Sequence, residues 1–177
     1  DTILHPTGCE TPRRRGGNAL PTGRAGLNTF GWDLRYPGAV SFECLIMWGG
    51  SADRGPLALP GQYTVRITAG SATATQPLTM RMDPRLKGIT ERDLAEQFAL
   101  SMQIRDRVSA ADTAVIRIRQ MRSKIADRIA RAKAQDVTKA GSETAAKLLV
   151  IEEALYQTQN RSGQDPLNFP IRINNRI

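Results

Sequence analysis

The sequence is poor in the residues from which catalytic and metal sites are usually built. It has one histidine, His5, and two cysteines, Cys9 and Cys44. The patterns HxxxH, CxxC and GxSxG do not occur, and no glycine-rich phosphate loop precedes a predicted helix. An enzyme needs a nucleophile or an acid–base pair gathered in a pocket, and the sequence offers no such set. We therefore predict a non-catalytic protein without cofactor-binding or metal-binding residues.

Aromatic residues and long apolar runs are also scarce. Aromatic residues make up 5% of the 177 residues and apolar residues 40%, so a core would be mainly aliphatic. No run of about 18 apolar residues is present, which excludes a transmembrane helix. A chain of this length forms one domain or two small ones. It begins with Asp1, and its first residues show no signal-peptide pattern, so we expect a processed or excised chain.

The longest regular pattern, at residues 90–135, predicts one long helix. Apolar residues recur there in steps of three and four, as on the buried side of a helix. Thr90 followed by Asp93 has the spacing of a short capping box, which predicts the first turn. Ser109 and Asp112 could instead recap a second segment, so a break near residues 109–112 remains an alternative.

A second helix is predicted to return along the first. Residues 136–141 read as a loop with Gly141 in a left-handed turn, and Ser142 would cap a helix over residues 143–159. Because this helix is shorter than the first, part of the apolar side of the first helix should lack a cover. The residues we expect to contact a partner there are Val115, Ile118, Met121, Ile125 and Ile129, with Arg117 and Arg122 beside them. A third helix is expected from Ile171 onward.

The first half of the chain has strand patterns. Residues 28–33 alternate around Phe30 and Trp32, residues 40–48 form a strong apolar run, and residues 62–69 and 72–82 alternate on either side of Gly70-Ser71. We therefore predict an extended linker over residues 1–24, a β module over residues 25–84 and a helical hairpin over residues 89–177. The expected class is α+β.

The two cysteines permit either of two states. A bridge between Cys9 and Cys44 would close a loop of 35 residues, and it would stabilise the fold by roughly 3–4 kcal/mol in an oxidising compartment. Alternatively both thiols are free and Cys44 packs as a small hydrophobic residue.

Charge is uneven along the chain. The net charge is +8, of which residues 81–177 carry +6. Such a surface favours acidic partners, including nucleic acid. Basic residues that could contact phosphates on the long helix are Arg105, Arg107, Arg117, Arg119, Arg122, Lys124, Arg128, Arg131 and Lys133. Asp106, Asp112 and Asp127 interrupt this run, and no base-reading motif is present. Arg13-Arg14-Arg15 reads as an exposed linker segment or a partner contact.

Four stretches of the sequence resemble a known family. They are residues 25–37 (AGLNTFGWDLRYP), 55–57 (GPL), 60–66 (PGQYTVR) and 155–172 (LYQTQNRSGQDPLNFPIR). They are similar to the C-terminal Ig-like and helical region of bacterial sortilin-like β-propeller proteins, often labelled as glycosyl hydrolases with sialidase-type Asp-box repeats. The resemblance implies a small Ig-like antiparallel β sandwich followed by a long antiparallel helical hairpin. The propeller that would carry hydrolase activity has no counterpart here, so no catalytic residue is carried over.

These patterns lead us to expect a non-catalytic accessory subunit. It would bridge components of a larger cell-envelope assembly through its strand edges and the apolar side of its long helix. The resemblance implies a periplasmic or extracellular location, where the chain could lie on the extramembrane face of a membrane complex. The alternatives are a basic helical nucleic-acid-binding protein and an accessory module of a secreted glycan-acting enzyme.

Overall fold

The structure is a computed structural model that describes residues 3–9 and 21–177. Four strands precede two helices in the described chain. The strands are β1 (Arg35–Pro37), β2 (Arg54–Leu57), β3 (Gly61–Ala69) and β4 (Ala72–Met80). The helices are α1 (Glu91–Arg131) and α2 (Gln135–Leu155), and two short 3-10 helices follow at Asp165–Leu167 and Ile173–Asn175. The predicted α+β class is confirmed.

The described strands form two separate two-stranded antiparallel sheets, β1 with β2 and β3 with β4. They do not show a β sandwich. The predicted hairpin around Gly70-Ser71 is confirmed, and β3 pairs with β4 in continuous register from Gly61↔Met80 to Ala69↔Ala72. Val65 and Ile67, which the alternation placed inward, are exposed because no second layer of described residues covers the hairpin.

The strand predicted over residues 40–48 is wrong. This segment is a loop, in which Leu45 N–H donates to Phe42 O and Cys44 has a φ of 64°. Three consecutive residues, Cys44, Leu45 and Ile46, are buried together. A strand would point alternate side chains to opposite faces, whereas this loop turns all three toward neighbouring parts of the chain. Residues 28–33, also predicted as strand, form no strand either.

Helix α1 begins where its capping residues predict. Thr90 Oγ1 accepts the Asp93 N–H at 3.2 Å, and Asp93 Oδ2 accepts the Thr90 N–H at 2.8 Å, which completes the capping box. The helix continues without a break through residues 109–112. Ser109 Oγ donates to Arg105 O at 2.7 Å, so its hydroxyl bonds back within the helix instead of capping a new one.

Helix α2 begins eight residues earlier than predicted. It starts at Gln135 and ends at Leu155, so the predicted loop with a turning Gly141 is wrong. Gly141 lies inside α2 against α1, where an added Cβ would stand 2.9 Å from Ile129 Cγ1 and 3.5 Å from Ile125 Cγ2. The missing side chain therefore permits close helix packing. The predicted third helix is reduced to the 3-10 helix at Ile173–Asn175.

A leucine at position 141 should force the helices apart. Because its Cβ alone would meet Ile129 closer than normal contact, we expect Gly141→Leu to lower the free energy of unfolding by about 1–3 kcal/mol in urea denaturation. Ala140→Leu, at the exposed neighbouring position of the same helix, should change it by less than about 0.5 kcal/mol. Adding Ile129→Ala to Gly141→Leu should recover part of the loss. Equal effects of the two leucines would contradict this packing.

The buried core joins the first half of the chain to both helices. Leu45 and Ala52 pack with Val115 of α1 and Tyr156 at the end of α2, and Phe42 and Leu155 lie against this cluster. The core thus crosses the predicted boundary at residues 84–89. Among the described residues, no helix combines the length and apolarity that a bilayer crossing requires.

Candidate functional site

The residues predicted to contact a partner have three different environments. Val115 has no exposed surface, and Ile118 is also buried, so both belong to the core. Ile125 and Ile129 are partly buried and lie against Gly141 of α2. The structure leaves Met121 half exposed and Arg117 exposed, whereas Arg122 is bonded to Glu152. The central part of this surface is therefore mostly covered by the chain itself.

Exposed apolar surface lies elsewhere. Val137, Val150 and Ile151 are exposed on α2, with Val150 at 67%. Leu100 and Ile104 are exposed on the first half of α1, and Val65 and Ile67 on β3, with Ile67 at 65%. The spacing of apolar residues alone does not predict that these side chains are exposed. Their exposure depends on where α2 ends and on which residues cover the β3–β4 hairpin.

The total accessible surface is large for the size of the chain. It amounts to 13165 Å² for 19.4 kDa, whereas a folded monomer of this mass exposes about 8,500 Å². The residues outside the described ranges would account for at most about 2,000 Å², which is the accessible surface that an unfolded chain of their length exposes. More than about 2,500 Å² of additional surface therefore belongs to the described part.

A buried ion-pair network ties the helices together. Glu152 of α2 accepts hydrogen bonds from Arg119 Nε at 2.7 Å and Arg122 Nη1 at 2.6 Å, both on α1. The Arg119 guanidinium also lies 4.7 Å from the ring centre of Phe42 and 5.6 Å from that of Tyr156. The adjacent Glu153 is exposed, whereas Glu152 is buried. In the sequence, the position of Glu152 between Leu148 and Leu155 on the apolar side of α2 is the signal that indicates its burial.

The Tyr156 side chain, at the end of α2, forms hydrogen bonds to the loop of residues 44–46. Its hydroxyl donates to Cys44 O at 2.6 Å and accepts the Ile46 N–H at 3.3 Å. Burial raises the pKa of the phenol, so the neutral form that donates is favoured. The two hydrogen bonds satisfy backbone groups that no strand partner serves.

Tyr156→Phe should therefore destabilise the fold without opening a cavity. Loss of the hydroxyl leaves a buried carbonyl and a buried N–H without their partner, and we expect the free energy of unfolding to fall by about 1–3 kcal/mol. Tyr36→Phe is the matched control, since Tyr36 is exposed and its ring contact with Phe98 is retained. Thermal and urea unfolding measure both variants. If the two variants lose the same free energy of unfolding, the hydrogen bonds of the Tyr156 hydroxyl do not stabilise the fold.

A second buried polar pair joins α1 to the C-terminal segment. Asp112 has no exposed surface, and its Oδ1 accepts from Asn174 Nδ2 at 3.1 Å. Burial raises the pKa of Asp112 to about 6, and the bond from Asn174 opposes that rise. The next residue, Asn175, bonds both backbone groups of Trp48, accepting its N–H at 2.6 Å and donating to its carbonyl at 3.0 Å. The segment near residue 174 is thus held on two sides.

The structure joins Cys9 and Cys44 in a disulfide bond, with their Cα atoms 5.7 Å apart. His5, four residues before Cys9, lies 2.8 Å from Glu43 Oε2 at an exposed position. The bridge therefore fastens residues 3–9 to the loop that carries the core residue Leu45. Arg13-Arg14-Arg15 falls outside the described residues.

Two open grooves run along the first half of α1. One has a volume of about 400 Å³ between Leu59, Met80, Leu86 and Phe98, and the other about 340 Å³ between Met47, Ile104 and Val108. Arg35 lines both grooves and donates to Gly55 O at 2.9 Å. Among the residues described, no group of three His, Cys, Asp or Glu side chains could hold a metal ion.

The basic face of α1 is smaller than its sequence suggests. Arg105 pairs with Asp106 at 2.6 Å, and Arg119 and Arg122 bond Glu152. The basic residues that remain exposed are Arg107, Arg117, Lys124, Arg128, Arg131 and Lys133. Of these, Arg117, Lys124 and Arg128 follow in steps of seven and four, on one side of the helix.

Comparison of the chain with protein-family models, with curated proteins and with solved structures gave no match. Its functional interpretation therefore depends on the surface and the buried contacts described above. The buried contacts join α2 to α1, and apolar residues are exposed at several separate places.

Proposed function

We propose that this chain is a non-catalytic docking subunit that bridges components of a larger assembly in the cell envelope, outside the membrane. The observation that carries the proposal is the large exposed surface, with apolar residues on α1, α2 and β3. Obligate interfaces bury about 2,000–5,000 Å² in total, which is about 1,000–2,500 Å² on each partner, and the surface beyond that of a typical monomer is at the upper end of this range for one partner. Binding to other subunits would remove it from water.

The buried contacts support this function because they hold the docking surfaces in place. The bonds from Arg119 and Arg122 to Glu152 fix α2 against α1, and the Tyr156 hydroxyl fixes the residue 44–46 loop. A surface that is rigid before binding loses less conformational entropy when a partner binds. Val150 and Ile151 can then form an apolar contact without rearrangement of the hairpin.

The location is part of the same proposal. A disulfide between Cys9 and Cys44 persists in an oxidising compartment, which favours a periplasmic or extracellular site. The resemblance of residues 25–37 and 155–172 to the C-terminal region of sortilin-like proteins supports the same location. On this view, β1–β4 are the strands of an Ig-like module that other strands complete.

Native mass spectrometry of the chain purified gently from its source tests the docking function. We expect a complex of fixed stoichiometry. Val150→Asp with Ile151→Asp should release the chain from it while circular dichroism and the unfolding temperature stay unchanged, because both side chains are exposed. Lys147→Asp with Glu153→Lys, on the same helix, is the matched control. A lone soluble monomer at cellular concentration would overturn the proposal.

Nucleic-acid binding is the second candidate, favoured by the exposed face of Arg117, Lys124 and Arg128. Phosphate contacts would make affinity for duplex or single-stranded nucleic acid fall steeply with salt. We expect at most weak binding, lost near physiological ionic strength, because Arg119 and Arg122 are bonded to Glu152. Tight binding that weakens in the triple variant Arg117→Ala, Lys124→Ala, Arg128→Ala would favour this candidate instead.

A further inference from the structure

The β3–β4 hairpin has one mainly apolar face, on which Gln76 lies opposite Val65, and one polar face. Residues directly opposite in an antiparallel pair point to the same side, so Tyr63 with Leu78 and Ile67 with Ala74 share a face. Val65 lies between them and is 44% exposed, and Ile67 is 65% exposed. The opposite face carries threonines and Arg66. A two-stranded ribbon with an uncovered apolar face is only marginally stable in water, so this ribbon gains most from an added strand.

The two outer edges of the ribbon differ in their hydrogen-bonding groups. The two-residue turn Gly70-Ser71 makes Ala69↔Ala72 a hydrogen-bonded pair, and the pairs alternate from there. Thr64↔Pro77 is consequently a non-hydrogen-bonded pair, in which both backbones turn their N–H positions outward. Proline has no N–H, so the outer edge of β4 lacks a donor at its centre.

The outer edge of β3 has no such gap. Gln62, Thr64, Arg66 and Thr68 all occupy outward positions, and none of them is proline. Within the described residues β3 pairs only with β4, so these outward backbone groups have no strand partner there. An incoming strand can therefore form a continuous ladder on β3 and an interrupted one on β4.

Charge selects the kind of strand. Arg66 lies at the middle of the edge, and the whole chain carries a net charge of +8. A second copy of the chain, paired antiparallel in the register centred on Arg66, would set Arg66 against another Arg66, and in any register it would meet the same net charge, which disfavours self-pairing. An acidic strand meets neither penalty.

We infer that the outer edge of β3 accepts one extended strand of an acidic partner protein by β-strand addition. Alternate apolar side chains of that strand would cover Tyr63, Val65 and Ile67, and its carboxylates would meet Arg66 on the other face. This inference rests on the proposed docking function and names the surface and the chemistry of one partner.

The test uses an octapeptide of alternating valine and glutamate as the probe, with amide hydrogen exchange followed by NMR. At saturating peptide, exchange of the Thr64 and Arg66 amides should slow by about tenfold or more, while the outward amides of Thr73 and Thr75 on β4 are unaffected. The control peptide has the same charge but is N-methylated on the residues that would bond β3. It should give no protection, which separates strand addition from general attraction to a basic protein.

Two proline variants form a matched pair. Thr64→Pro removes an outward donor from β3 and Thr75→Pro removes one from β4, and neither removes a bond between the two strands. We expect Thr64→Pro to weaken peptide binding by about tenfold or more and Thr75→Pro to leave it within about twofold. The inference is overturned if the peptide protects the amides of β4, if it protects no amide, or if the two proline variants weaken peptide binding equally. A dimer of the isolated chain with protected β3 amides would also overturn it, in favour of self-pairing.

The same variants separate this inference from the docking function. If the complex from the native source forms with the wild-type chain and also with Thr64→Pro, docking stands and the β3 edge is not the contact. If the wild-type chain forms no complex, the docking function fails whatever the peptide does. Loss of one subunit from the complex with Thr64→Pro, but not with Thr75→Pro, supports both.

Discussion

Glu152→Ala is expected to lower the free energy of unfolding by about 3–5 kcal/mol, the largest effect of any single substitution considered for this chain. The carboxylate of Glu152 is the partner of two guanidinium groups, those of Arg119 and Arg122. Arg119 is itself buried, so removal of the carboxylate leaves a positive charge away from water without a counter-ion. Such a group costs more free energy than the ion pair contributed, because the remaining charge cannot be hydrated.

Urea unfolding followed by circular dichroism measures this effect. Glu153→Ala removes an exposed carboxylate from the adjacent position and should change the free energy of unfolding by less than about 0.5 kcal/mol. Replacing the whole network, with Arg119→Met, Arg122→Leu and Glu152→Leu, should restore most of the stability, since buried ion pairs and apolar isosteres are often equivalent. A Glu152→Ala protein as stable as Glu153→Ala would show that the network is hydrated in solution.

Asp112→Asn is expected to stabilise the protein at neutral pH, by up to about 3 kcal/mol. The pKa of Asp112 is raised to about 6 by burial, whereas an unfolded chain has an aspartate pKa near 3.9. Below about pH 4 the carboxyl is protonated in both states and imposes no penalty. As the pH rises from about 4 to 6 the unfolded state loses its proton first, so this group lowers stability progressively, and above about pH 6 the cost is constant.

The difference between Asp112→Asn and the wild-type protein isolates this group from all other titrating residues. We expect the difference in free energy of unfolding to be near zero at pH 4, to grow up to about pH 6.5 and then to level off. Asparagine keeps an oxygen that can accept from Asn174 Nδ2, so the contact with the C-terminal segment is retained. Asp127→Asn, at an exposed position of the same helix, should give a flat difference. If the difference in free energy of unfolding between Asp112→Asn and the wild-type protein did not change with pH, the carboxyl of Asp112 would have the same pKa in the folded and unfolded states.

Local hydrogen bonds made part of this fold predictable. The first turn of α1 depends on bonds between Thr90 and Asp93, and the β3–β4 hairpin depends on a turn at Gly70-Ser71. In both cases the interacting groups lie within a few residues of each other, so the sequence pattern contains the whole interaction. The α+β class follows from these elements.

Distant partners determined the parts that sequence patterns missed. Gly141 fits a turn or a close helix contact equally well, and Ile129 on the other helix decides between them. The apolar run at residues 40–48 resembles a strand, but Tyr156, more than a hundred positions away, bonds its backbone in place of a neighbouring strand.

The buried polar residues were the least predictable part of the candidate site. Glu152 meets its partner Arg119 across 33 positions, and Asp112 meets Asn174 across 62. A carboxylate in an apolar helical pattern can be solvated at the edge of the buried side or bonded within it. Only the register of α2 against α1 decides between these two states, and contacts between residues far apart in the sequence determine that register.

The unbroken course of α1 makes it a spacer of defined length. Its 41 residues rise about 62 Å from end to end. Met80 and Leu86 line the same groove as Leu94 and Phe98 near its start, so the end of β4 faces one end of the helix, while Val137 and Arg131 line a groove at the other end. A small domain about 30 Å across cannot reach both places. Two subunits bound at the opposite ends would therefore be kept apart at a distance set by the number of residues in one helix.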